Sequence, residues 1–187
     1  MTYGTRAGGA CLVAALLLTV APTAGAQETF SAKATVKRGL ASASAPVTVT
    51  VTRFATQAER DAAMKAVKAG GTEALRKALA GLKDAGFIQL GERKTAIKFA
   101  SERPTAGGRL ITVVAAEPIL YFGSSLPSAK AKTGFDVAVA ILEVKTGGAG
   151  LGDLSPAAKV GLDPGGALLI EDYGETVIWL QDVAAAK

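Results

Sequence analysis

The sequence predicts an α+β fold that is mainly antiparallel β. It reads as a meandering sheet, a barrel or a sandwich, of about eight strands, with a helical hairpin inserted after the second strand. Three observations point there. Apolar residues recur with period two through most of the chain. Gly-Gly pairs at 70–71, 107–108, 147–148 and 165–166 stand where those periodic segments stop. One stretch, "RFATQAERDAAMKAVKAGG" from Arg53, leaves the strand pattern altogether. Period two is the repeat of a strand with one wet face, and paired glycines let the chain turn between strands.

The elements follow in order. Phe30, Ala32, Ala34 and Val36 alternate with Ser31, Lys33, Thr35 and Lys37, and Val47, Val49 and Val51 alternate with Thr48, Thr50 and Thr52. These are two half-buried strands. Thr56-Gln57-Ala58-Glu59 is then a capping box, in which the Thr56 hydroxyl accepts the Glu59 amide and the Glu59 carboxylate accepts that of Thr56. Ala63, Met64 and Val67 make a narrow apolar stripe that ends at Gly70-Gly71. Thr72 is placed to cap a second helix, with Leu75, Leu79 and Leu82 at helical spacing and a stop at Gly86, so the hairpin spans about residues 57–85. Each helix has one stripe and must lay it on a sheet face or a barrel end.

Later strands are more apolar. "RLITVVAAEPILYF" (Arg109 to Phe122) and "FDVAVAILEV" (Phe135 to Val144) are apolar on both faces, as strands covered from both sides are. "AGLGDLS" adds a short strand. "GALLIED" and "ETVIWLQDV" close the chain as a hairpin about Tyr173-Gly174. If the sheet is hollow, Val47, Val49, Val51, Val137, Val139 and Ile141 are its expected lining.

The first residues read as a cleaved secretory signal, residues 1–26. Arg6 precedes the apolar run "CLVAALLLTV", and Ala24-Gly25-Ala26 places the cut before Gln27. The run is shorter than the ~20 residues a bilayer needs, so no integral membrane span is expected after cleavage. Residues 27–187 then form one β-rich domain without cysteine or histidine, since Cys11 is the sole cysteine of the chain. That composition excludes thiol nucleophiles, Ser–His–Asp triads, histidine proton shuttles and the usual zinc or haem ligands. No cofactor is expected. Residues 27–132 carry 17 Lys and Arg against 8 Asp and Glu, and residues 133–187 carry 3 against 8. Either the basic stretch meets an anionic partner, or the two stretches interleave in one sheet, the reading we favour. Ten aromatic residues, none interleaved with a basic cluster, argue against nucleic acid.

"TRFATQAERDAAMKAVKAGGTEALRKAL", followed by "GFIQLG", "AIKFA" and "GGRLITVVAAEPI", resembles a family of secreted bacterial proteins to which no activity is assigned. The resemblance covers roughly residues 52 to 119. It implies export to the periplasm or medium and one shared fold, and it brings no catalytic residue.

Candidate ligand-binding residues are few. Arg53 and Arg109 offer guanidinium groups at strand ends, although pairing of Arg53 with Glu59 or Asp61 at the helix start is the stronger expectation. Tyr121 and Phe122 lead into a loop with Lys130 and Lys132, suited to an anionic membrane surface or a cavity mouth. Trp179 is the sole tryptophan and is expected in the core, with ligand stacking as the alternative. Glu171, Asp172 and Glu175 are a weak Ca²⁺ candidate, lacking the calcium-loop pattern. The residue types favour a non-catalytic exported binding protein for an apolar or anionic amphiphilic, lipid-like ligand. A structural or protein-interaction component of the cell envelope, docking an envelope protein, is the alternative. A carboxylate-dependent hydrolase comes third.

Overall fold

A computed structural model describes residues 27–38, 41–120, 132–166, 168–172 and 178–186. Residues 1–26, Tyr121 and Phe122, the Tyr173-Gly174 turn and Glu175 lie outside them. The strands are β1 (Glu28–Arg38), β2 (Ala41–Val51), β3 (Gly86–Leu90), β4 (Arg93–Ile97), β5 (Phe99–Thr105), β6 (Gly108–Ala115), β7 (Val137–Lys145), β8 (Gly150–Leu162), β9 (Leu168–Asp172) and β10 (Ile178–Ala185). One helix, α1 (Gln57–Ala80), is inserted after β2. All pairings are antiparallel.

The sheet runs β4-β3-β2-β1-β10-β8-β7-β6-β5, with β9 attached to β8 alone. Its two end strands are consecutive in the chain and separated only by Lys98. At that point the hydrogen bonding changes sides. The Ile97 carbonyl still accepts from Ala85 beside β3, whereas the Lys98 amide donates to Val114 of β6. β4 and β5 thus act as one bent strand facing β3 with its first half and β6 with its second, and the sheet returns nearly to itself as a barrel. Counting that pair once gives eight strands around the ring.

An eight-stranded barrel is just wide enough for side chains to fill it, and these do. Phe30, Val47, Val49, Val51, Ile88, Leu90, Ile111, Leu142, Leu154 and Leu180 meet in one buried cluster, with alanines such as Ala34, Ala100, Ala138 and Ala140 between them. Small beside large is how a tapering interior is filled. Strand alternation puts Val137 and Val139 on the opposite, outer face, in a second buried cluster against which Ile141 packs. The expected lining is therefore half corrected: the β2 valines point inward and the three β7 residues point outward.

The apolar doubling of β6 and β7 has its cause in α1. Val67, Leu75 and Leu79 lie on the outer face against Val114, Val137, Val139, Ala158 and Val160. The helix is capped as its sequence requires, with both capping-box hydrogen bonds formed. Gly70 and Gly71 leave helical backbone geometry, so α1 is two helical segments meeting at the expected break. Gly71 has φ +59, and a Cβ there would press on the Val160 carbonyl. Thr72 does not cap the second segment. Its hydroxyl is buried, accepts from the Val160 amide at 2.6 Å and donates to the Val160 carbonyl at 3.2 Å, as a neighbouring strand would.

Two further expectations are corrected. β9 and β10 do not pair with each other; β8, far longer than the short strand expected, carries β9 at its end and β10 at its start. The basic and acidic stretches do not interleave: β10, β8 and β7, all from the acidic stretch, are adjacent in the ring.

Candidate functional site

The sequence candidates separate in space. Arg53, following β2, donates from Nη1 to both Glu59 oxygens at 3.0 Å and from Nη2 to the Lys83 carbonyl at 2.9 Å. Its fork ties the start of α1 to the chain just beyond its end, as a structural role requires. Hydrogen bonding from the Thr56 amide, joined by the charge and hydrogen bond of Arg53, outweighs burial and holds the Glu59 carboxyl below its usual pKa.

Arg109, the second residue of β6, reaches across the end of the barrel interior. It donates to Glu28 of β1, twice, and to Glu102 of β5 at 2.9 Å, and it lies over the Phe30 ring. β1 and β6 are not neighbours in the ring, so this half-buried cluster closes one barrel mouth. Hydrogen bonding to Glu28 first, and to Glu102 after it, raises the guanidinium pKa against the effect of burial.

Trp179 is not in the core. It projects outward from β10 with 53% of its surface exposed, which corrects the expectation of burial. Tyr121 and Phe122 lie outside the described residues. So do Glu175 and the Asp172 side chain, while Glu171 stands 3.5 Å from Lys159. Among the described residues no group of three or more acidic, His or Cys side chains is placed to hold a metal ion.

With the interior filled, apolar space lies outside the ring. A partly open pocket of about 240 Å³ lies beside this packing, between α1 and the outer sheet face. Val67, Leu75 and Leu79 line it from the helix, and Phe99, Val114 and Val139 from the sheet. Met64 of α1 and Leu168 of β9, 38% and 48% exposed, border it. Arg60 is the one charged residue of the lining. Its guanidinium donates to the Ala55 carbonyl and the Gln57 side chain and meets no carboxylate among the described residues. A cation in the first helical turn opposes the helix dipole, so α1 itself gains nothing electrostatically from Arg60.

Sequence reasoning missed this site. Helical spacing puts Met64, Val67, Leu75 and Leu79 on apolar stripes, but spacing alone does not show that the two stripes fail to meet the sheet everywhere. Arg60 sits in the charged run Glu59-Arg60-Asp61, where nothing singles it out. The described residues contain no helix long and apolar enough to cross a membrane. No protein-family model matches the chain, and neither curated proteins nor solved structures give a match. The architecture is a nearly closed β-barrel, consistent with a non-catalytic ligand-binding scaffold.

Proposed function

We propose that the protein is an exported, non-catalytic binding protein for a small anionic amphiphile, and that the ligand sits between α1 and the barrel wall. The observation that carries the reading is the apolar pocket with a guanidinium at its lining, that of Arg60, which meets no carboxylate among the described residues. An apolar chain gains burial against Val67, Leu79, Val114 and Val139, at about 25 cal/mol per Å² removed from water. A carboxylate, sulfate or phosphate head gains a charge-assisted hydrogen bond from Arg60. The volume is below the roughly 300–1,000 Å³ of drug-sized sites, which favours a short chain or one end of a longer one. Export rests on the amino-terminal signal pattern, and the secreted chain should begin at Gln27.

The test is titration of the purified protein with anilinonaphthalene sulfonate, an anionic apolar dye, followed by displacement with decanoate. We expect saturable dye fluorescence that decanoate reverses. Ala63→Phe, which fills the cavity from the helix side, should abolish it. Arg60→Gln should weaken decanoate about tenfold and leave decanol unchanged. Dye binding that Ala63→Phe does not alter, or no saturable binding, would overturn the assignment.

A further inference from the structure

A second concavity lies farther along the same outer wall, clear of α1, and it differs in kind. It is an open groove of about 530 Å³ across β1, β10, β8, β7 and β6. Four apolar side chains line it: Trp179, Leu151, Leu110 and Ile141. Trp179 and Leu151 are 53% and 55% exposed. Polar side chains stand among them: Asp153 between Trp179 and Ile141, Glu143 beside Leu110, and Thr35 and Gln181 toward β1. The strand register fixes the arrangement, since Trp179 stands directly opposite Thr35 on one side and Asp153 on the other.

Both hydrogen-bonding senses are present. Asp153 and Glu143 accept. The Thr35 hydroxyl donates to Gln181 Oε1 at 3.1 Å, which leaves the Gln181 amide NH₂ group to donate elsewhere. A partner made of apolar groups alone would leave those polar side chains unpaired, which costs affinity. Charge narrows the partner further. No Lys or Arg lines the groove among the described residues, and its two carboxylates oppose an anion. Lys33 stands opposite Gln181 and Arg103 opposite Leu110 in the strand register, both exposed, and these two cations offset the two carboxylates toward a cationic partner. A neutral partner with a flat C–H face and a rim of donor-acceptor hydroxyls meets neither field and satisfies every group. That partner is a pyranose ring.

We propose that the groove binds a neutral glycan, with a sugar ring stacked on Trp179, its hydroxyls donating to Asp153 and Glu143 and accepting from Gln181. Rigid strands hold these groups in place without loop closure, and aromatic rings supply contact area at low entropic cost. The site does not rest on the cavity beneath α1.

Trp179 is the sole tryptophan of the chain, so its fluorescence reports on this groove alone. The full chain is titrated with linear hexasaccharides of glucose and of N-acetylglucosamine, and in parallel with hexalysine, at low and high salt. At least one neutral hexasaccharide should give a saturable blue shift in the millimolar range or below that salt leaves unchanged. By calorimetry, Trp179→Ala should lower affinity at least tenfold and Asp153→Asn several-fold, both with unaltered thermal melting. Silence with both hexasaccharides would overturn the proposal, as would sugar binding that survives Trp179→Ala. A salt-sensitive response to hexalysine alone would overturn it too and assign the groove to a basic peptide. Decanoate binding to the Ala63→Phe variant reads the other site separately.

Discussion

Glu59 does three things with one carboxylate. It closes the capping box on Thr56, it receives the Arg53 fork, and through Arg53 it is joined to the Lys83 carbonyl. Its folded-state pKa is lowered, so its contribution is fully present above the unfolded value of about 4.3 and is lost as pH falls through the folded one. Glu59→Gln should therefore cost about 1 kcal/mol near neutrality. The gap between variant and wild type should narrow as pH drops below about 4, read from urea midpoints across pH 7 to 3. A gap that widens toward acid would contradict the assigned sign. The capping box and the Arg53–Glu59 pair were legible because both partners lie within a few residues of one another. The Arg109–Glu28 contact was not, because its partners stand far apart in sequence and meet only when the ring forms.

At the scale of elements, Thr72 and Val160 decide how α1 sits. The hydroxyl occupies both backbone groups of one β8 residue and is buried. Thr72→Val keeps the shape and removes the partner, leaving an amide and a carbonyl unsatisfied. Each such group costs about 1–3 kcal/mol, so a loss of about 2–4 kcal/mol is expected in chemical denaturation. Thr72→Ser, which keeps the hydroxyl, should lose less than half of that. Equal losses would show that packing of the threonine methyl, not the hydrogen bonds, is what matters. The helix and its break were readable from Thr56, Glu59 and Gly70-Gly71, which act locally. The use of Thr72 was not, since a threonine after a glycine pair looks like a cap until β8 is brought beside it. Trp179 failed for a related reason: alternation in β10 shows that it faces away from Ile178 and Leu180, but not which face α1 leaves uncovered.

The whole molecule has two apolar layers of different standing. The inner one is enclosed by the ring, while the outer one lies between the wall and a helix anchored at its two ends and at Thr72. Opening α1 need not break the ring. Amides of α1 should therefore exchange with deuterium faster than those of β7, whose pairing on both sides places their exposure at global unfolding. Native-state hydrogen exchange at rising urea would show two sets of slopes, and a common slope for α1 and β7 would show one cooperative unit. Closure of the sheet follows from a bend at Lys98 and from pairing of the first strand with the last. Neither leaves a local mark, whereas the antiparallel meander was plain from period two and the glycine pairs.

That last pairing governs when the protein can exist as a folded object. Phe30 is matched with Ala185, and Val36 with Ile178, so the ring lacks its final stave until residues 178–185 have been made. Contacts this distant in sequence form slowly. The hairpins β1–β2 and β5–β6 can pair as soon as they are made, but β1 keeps one open edge, and the barrel cannot shut, until β10 arrives to cover it.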